Sequence, residues 1–160
     1  MNISNNESFY IKELDDYLFM YRRNIGSYQK LSKDFIELSQ IADEKNICIQ
    51  GFPQAILLDN PQDVAGDECT SEVGYKVNKV LNEQEKNVIT KTMPSQTYYC
   101  ATYYGCTKDI VEVYEELIKK VHEDGYFIAA PPIEIYLKNP LEAEQDGVCH
   151  IEIMIPIIKM

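Results

Sequence analysis

The chain has 160 residues, 45% of them hydrophobic and 26% charged, the composition of a globular domain large enough to bury its own core. Its net charge is −11, and arginine occurs only as Arg22 and Arg23. Nucleic-acid surfaces need clustered Lys and Arg to neutralise phosphates, so direct contact with nucleic acid is excluded and cationic partners are favoured.

No apolar run approaches a bilayer span and no secretory signal pattern opens the sequence, so a cytoplasmic protein without membrane contact is expected. The five cysteines (Cys48, Cys69, Cys100, Cys106 and Cys149) show no CxxC spacing. With His122 and His150 they make no zinc frame. They read as small buried hydrophobes in a reducing compartment. No metal and no cofactor is expected.

The polar start, MNISNNES, is expected to fray. FYIKEL and then YLFMYRR read as strands, stopped by Gly26. Ser27 is placed to cap a helix running to about Asn46. Leu31, Phe35, Leu38, Ile41 and Ala42 supply its apolar face. Ile47 to Ile49 lead through the break Gln50-Gly51-Phe52-Pro53 to a short strand, Ala55 to Leu58. The turn Asp59-Asn60-Pro61 opens a polar loop, and a strand follows near Ser71 to Val77. A short polar linker occupies positions 78–86.

The second half replays this order. NVITK and TYYCATYY read as strands, and Gly105 is the stop. Thr107 is placed to cap a helix striped by Ile110, Val113, Tyr114, Leu117, Ile118 and Val121, with Gly125 ending it. Ile133 to Leu137 is the next strand. NPLEAEQDG reads as a loop, and Cys149 to Ile158 is the final strand.

Sliding the sequence by 79 positions lays Gly26 on Gly105, Leu38 on Leu117, Pro53 on Pro132 and Asn60-Pro61 on Asn139-Pro140. After a one-residue slip, Cys69 meets Cys149 and Glu72 meets Glu152. Turn residues and helix stripe in common register mark a repeated supersecondary unit. The expectation is one α+β domain of two β-α-β-β repeats, about 8–77 and about 87–157, related by a pseudo-twofold. An antiparallel-rich curved sheet would carry the helices on one face, with a central cleft between the halves as the ligand site.

The final strand, CHIEIMIPI, is the sharpest local clue. Ile151, Ile153, Ile155 and Ile157 point one way, and His150, Glu152 and Met154 the other. The isoleucines must face the helices, which turns Glu152 and Met154 toward the opposite side. The chain has 12 tyrosines and no tryptophan. Several stand in strands or beside stops, among them Tyr28, Tyr98, Tyr104 and Tyr136. An acid enclosed by such rings is a cation receptor, by charge pairing and cation–π attraction. A surface carboxylate is the competing reading of Glu152. His150, on the same side, is either its acid–base partner or a water-exposed strand residue. Glu72 reads as solvated or structural.

At these residues the chain resembles the GyrI-like effector-binding domains, the ligand-sensing portion of multidrug-responsive MerR-type and AraC-type transcription regulators, which also occur as free-standing proteins. The resemblance runs from about Phe9 to Ile157. It is carried by YRRNIGSYQKL, TMPSQTYYCATYYG, PPIEIYL and HIEIMIPI. It implies two β-α-β-β units with an aromatic cleft, Glu152 at its base before Ile155-Pro156, and Tyr28, Tyr104 and Tyr136 as wall residues. Tyr98 and Met154 join them by strand parity. No winged-helix reader or coiled-coil linker precedes the domain in this sequence, so either a free-standing member or a module from a longer DNA-binding regulator is implied.

The leading expectation is therefore a module that binds bulky hydrophobic, often cationic compounds, with Glu152 selecting charge. Two alternatives follow from the same resemblance. One is a free-standing hydrolase of cyclopropane-bearing genotoxins, in which Glu152 and a cleft tyrosine activate water. The other is a gyrase-inhibitor-like interaction protein.

Overall fold

The computed structural model describes residues 7–60, 63–82 and 86–159. Residues 1–6 of the polar start, Pro61 of the Asn60-Pro61 turn and residues 83–85 of the linker lie outside the described residues, whereas Glu7 and Ser8, expected to fray, open a strand. The chain folds as two compact units, Met1–Leu14 with Gln96–Met160, and Asp15–Ser95. The first is called here the terminal unit and the second the central unit. Both are α+β, with antiparallel pairing and a helix packed on one sheet face.

The central unit contains β2 (Tyr17–Ile25), α1 (Ser32–Glu44), β3 (Gln54–Leu57), β4 (Thr70–Val77) and β5 (Ile89–Met93). Its strands pair in the order β3-β4-β2-β5. Leu38 is fully buried, and Phe35, Ile41 and Ala42 lie with it on the inner face of α1. The Phe35 ring meets Tyr75 of β4 edge-on at 5.8 Å. The Tyr75 hydroxyl donates to the Phe35 carbonyl at 3.2 Å, which fastens helix to sheet. Arg22 reaches from β2 to Asp34 and Glu37 of α1, at 2.7 and 2.9 Å.

Gly74 is required by closeness rather than by turn geometry. A Cβ there would stand 1.9 Å from the Met20 carbonyl oxygen on the neighbouring strand. Only a residue without a Cβ fits.

The terminal unit contains β1 (Glu7–Leu14), β6 (Gln96–Cys106), α2 (Ile110–Glu123), β7 (Tyr126–Ile128), β8 (Ile133–Tyr136), α3 (Pro140–Asp146) and β9 (Val148–Lys159). Its strands pair in the order β1-β6-β9-β8, and β7 pairs with the far end of β9. The leading strand of the chain thus lies beside residues more than 80 positions away, pairing Phe9 with Ala101 and Ile11 with Tyr99. The isoleucines at 151, 153, 155 and 157 are buried against Val113, Leu117 and Val121 of α2, with Tyr99, Ala101 and Tyr103 beside them. Alternation in β9 and the helical stripe in α2 produce this core together.

Three boundaries differ from the sequence expectation. The α1 helix begins at Ser32, not at Ser27, whose hydroxyl instead closes a local turn with the Gln29 N–H at 3.2 Å. Thr107 opens a short 3₁₀ turn, and α2 starts only at Ile110. The segment NPLEAEQDG is a helix rather than a loop. Asn139 caps it by accepting from Leu141 N–H at 2.9 Å, Pro140 fills the first turn, and Gly147 ends it with φ of 73°. An Asn-Pro pair is a turn signal and a helix-start signal at once, and here the capping use prevails.

Candidate functional site

The terminal unit carries two carboxylates on opposite faces of one sheet. Register fixes their sides. Glu152 stands across from Thr102 on β6 and Ile135 on β8, on the face that also carries Tyr98, Cys100, Tyr104, His150 and Met154. Glu134 stands across from Ile153, on the isoleucine face under α2.

Glu152 is neutralised from within the chain. Lys12 of β1 donates to both of its oxygens, at 2.8 and 2.9 Å. The Tyr10 hydroxyl, also from β1, donates to the same carboxylate. That hydroxyl lies 2.8 Å from Thr102 Oγ1. The Glu152 side chain is 13% exposed and that of Lys12 31%, so the pair is partly shielded from water. Burial first, and then the bond to Glu152, push the Tyr10 hydroxyl far above its ordinary pKa. Burial, with the Glu152 charge adding, pushes the Cys100 thiol up to about 12, which keeps it protonated and unreactive.

Glu72 of β4 in the central unit is held in the same manner. It accepts from Lys91 at 2.5 Å and from Arg23 at 3.3 Å, and it is 7% exposed. Lys91 lies 4.6 Å above the centre of the Tyr21 ring. Glu72 is therefore a buried, charge-paired structural residue.

Glu134 differs from both. It is 6% exposed, and its partners are neutral: Tyr114 Oη of α2 donates at 2.7 Å and Tyr136 Oη donates at 2.9 Å. Among the described residues no ion pair reaches it. Burial raises its pKa, and the two tyrosine bonds only partly oppose this. Two rings from different elements, one on the helix and one on the strand, converge on this carboxyl. Tyr114, Tyr136, Ile110 and Ala143 are half-buried and form the rim of the core here.

The residues expected to form one site are thus distributed. Tyr98 and Met154 share the Glu152 face and are both buried, 2% and 1% exposed. Tyr104 is on that face but 55% exposed, its ring edge-on to His150 at 5.6 Å. Tyr136 lies on the other face, with Glu134 rather than Glu152. Tyr28 lies in the central unit. Its hydroxyl sits 3.0 and 2.8 Å from the carbonyls of Asp59 and Thr70 and accepts from Asp59 N–H, an arrangement that ties two loop ends together. Burial foremost raises that hydroxyl to about 12.

Sequence reading passed over Tyr10, Lys12, Tyr114 and Glu134. The signals were local for Glu134 and Tyr136, two residues apart and so on one side of a strand. They were not local for Lys12, whose partner is 140 positions away. The one hint is that Lys12 falls on Lys91 under the 79-residue slide, one residue short of the offset that relates the two glutamates.

Among the described residues no helix is long and apolar enough to cross a membrane, and no group of three His, Cys, Asp or Glu side chains is placed to hold a metal.

Comparison with known proteins agrees with the fold. The family model of the GyrI-like small molecule binding domain matches residues 7–158. No curated protein matches the chain significantly. Among solved structures, the EcmrR C-terminal domain superposes with a TM-score of 0.80 at 19% identity, covering 96% of this chain and 99% of that one. The EcmrR chain in a DNA complex gives 0.81 at 17% identity, and this chain, 96% covered, spans 58% of its length. A hydrolase encoded by lin2189 of Listeria innocua gives 0.64 at 10% identity, with 94% and 92% covered. SAV2435, solved with bound tetraphenylphosphonium, gives 0.52 at 12% identity, with 94% of each chain covered.

Proposed function

Because the chain belongs to the GyrI-like small-molecule binding domain family, we propose that it receives bulky lipophilic cations, with the Glu134 carboxyl as the charge that selects them. The observation that carries this reading is the contrast among the acids. Glu152 and Glu72 already hold ammonium groups, whereas Glu134 is buried between two tyrosine hydroxyls. A cation arriving at Glu152 would have to displace Lys12. One arriving at Glu134 meets a carboxyl held by the neutral hydroxyls of two tyrosines, whose rings are available for cation–π contact. Apolar contact supplies the bulk of the affinity, at about 25 cal/mol per Å² buried, and the carboxylate supplies discrimination.

Tetraphenylphosphonium is the natural probe, since SAV2435 of the same fold was solved with it. Titration should show binding that Glu134→Gln weakens tenfold or more, equivalent to about 1.4 kcal/mol. Triphenylphosphine oxide, neutral and of similar bulk, should change far less. If Glu152→Gln abolishes cation binding while Glu134→Gln leaves it intact, the charge sits at Glu152 instead. The similarity to EcmrR supports a role as the sensing part of a transcription regulator, in which ligand would favour one arrangement of an attached DNA reader.

A second reading is hydrolysis of cyclopropane-bearing electrophiles. It is favoured by the pairing of an acid with tyrosine hydroxyls, a set able to orient and activate water, and by the likeness to the Listeria hydrolase. Incubation with such a compound distinguishes the two: accumulation of ring-opened product that Glu134→Gln abolishes means turnover, and unchanged compound means binding alone.

A further inference from the structure

We propose that the cation site at Glu134 is loaded by exchange for a proton: the empty site holds Glu134 as a neutral carboxylic acid, and an entering lipophilic cation releases that proton to solvent. This rests on the reading of Glu134 as the charge-selecting residue and adds the mechanism by which the site is regulated.

The argument begins with partner chemistry. An ammonium group can only donate hydrogen bonds, and such groups, Lys12 and Lys91, are the partners of Glu152 and Glu72. A tyrosine hydroxyl both donates and accepts. It can donate to a carboxylate or, after rotating its O–H, accept from a carboxylic acid. Tyr114 and Tyr136 therefore satisfy Glu134 in either protonation state. Of the three glutamates, Glu134 is the one whose partners permit a switch.

The second step is burial. A carboxylate removed from water without a counter-ion is costly, and the inexpensive solution is to keep the proton. The groups facing Glu134 oppose this only in part. From α2 comes the Tyr114 hydroxyl and from β8 the Tyr136 hydroxyl, both neutral. On β9 the Cys149 thiol feels the Glu134 charge and is itself pushed up to about 11, by burial first. Among the described residues no ion pair reaches Glu134, and burial outweighs the two tyrosine bonds.

A lipophilic cation changes that balance because it brings the missing counter-charge. The O–H bond of the acid breaks, the proton passes to buffer, and the cation takes its place beside the carboxylate. The site is neutral before and after, so neither state leaves a bare charge in the core. Nothing is oxidised or reduced. A neutral ligand releases no proton, so the acid form becomes a filter that weakens cations at low pH and leaves neutral compounds unaffected.

The test is calorimetric titration of the whole chain with tetraphenylphosphonium across pH 5 to 8, each point in two buffers of different ionisation enthalpy. The expected result is an apparent affinity that climbs with pH toward tenfold per unit on the acid side and then levels. The enthalpy should differ between buffers by an amount corresponding to nearly one proton released on the acid side. Infrared spectra of wild-type protein should show a protonated-carboxyl band that disappears when the cation binds, a readout that needs no variant. Binding that Glu134→Gln weakens tenfold, with flat affinity, buffer-independent enthalpy and no such band, overturns the exchange while leaving Glu134 as the cation's partner. Binding indifferent to Glu134→Gln overturns that assignment itself. If Glu134→Gln does not fold, Tyr136→Phe with the infrared readout takes its place: loss of the band on cation binding upholds exchange, and a band that persists through binding refutes it.

Discussion

Replacing Lys12 by methionine removes the ammonium that grips Glu152 and leaves the apolar stem. The structure sets the magnitude. Both Glu152 oxygens lie within 2.9 Å of Lys12 Nζ. The Glu152 side chain is 13% exposed, which would place the pair near the buried class, where losing one partner costs about 3–5 kcal/mol. Lys12 is 31% exposed, however, and water softens the loss toward the 0.2–1 kcal/mol of surface pairs, roughly. Lys12→Met should therefore cost about 1–3 kcal/mol.

Glu152→Gln keeps the shape and an acceptor for Tyr10, and the double variant carries no unpaired charge. The coupling between the two changes should be about 1–2 kcal/mol, read from urea midpoints at constant slope and pH 7. The same variants report on function. With its charge already met by Lys12, Glu152→Gln should leave tetraphenylphosphonium affinity within about threefold, a shift of under 0.7 kcal/mol. A coupling below about 0.3 kcal/mol would show that Lys12 is a solvated lysine and that its grip on Glu152 contributes nothing. The case for Glu134 over Glu152 would then lose its main contrast.

Leu117→Ala and Leu38→Ala each empty a fully buried helix position, and thermal or urea unfolding should show losses of about 2–5 kcal/mol. Gly74→Ala drives a methyl against the Met20 carbonyl and should cost about 3 kcal/mol or more, whereas Gly51→Ala, with nothing within 4 Å, should stay within about 0.5 kcal/mol. Comparable effects at the two glycines would refute the register of β2 on β4. Stability should also fall as pH rises above the ordinary carboxyl value near 4.5, because the raised pKa of Glu134 makes the folded state bind more protons than the unfolded one there. Glu134→Gln should remove that slope. Asp59 and Asp146, whose pKa values are lowered chiefly by Thr70 and Lys138, act oppositely: their contribution is present above about 3.8 and is lost as pH falls.

Local pattern carries far in this chain, and non-local pairing is where it stops. Isoleucine parity in β9 and the stripe of α2 are visible in residue order because each is a periodicity within one element, and they define the core of the terminal unit. The glycine at 125 is legible as a helix stop for the same reason. Lys12 is not legible as the partner of Glu152, because nothing in FYIKEL indicates that β1 lies beside β6 rather than among its own neighbours. The short α3 helix is hidden by its own cap, since Asn139-Pro140 signals a turn as strongly as a helix start. Glu134 is a different failure. Ile133 and Ile135 alternate with Glu134 and Tyr136 in plain view, but alternation gives only relative sides. Which side is core depends on β9, whose isoleucines share a face with Glu134 and not with Ile135.

That register has a chemical consequence. A strand with isoleucines on one face invites the inference that the polar side carries the function, and so turns attention to Glu152. Yet the polar side here is also where lysines from sequence-distant strands can reach, and each such acid acquires one: Lys12 for Glu152, Lys91 for Glu72. The acid on the apolar side is 6% exposed, so a lysine beside it would bury a second charge, and its partners are hydroxyls. Enclosure that excludes the chain's own cations does not exclude a lipophilic one, because such a ligand brings its apolar surface with it and its charge is already spread and weakly hydrated. On the proposed reading, burial and neutral partners, the two features that look least like a binding site for charge, are the ones that would let Glu134 prefer a bulky cation over a hydrated inorganic ion. Sodium or potassium chloride at high concentration should accordingly compete poorly with tetraphenylphosphonium, and a loss of its affinity that follows ionic strength in the manner of surface charges would place the site in solvent instead.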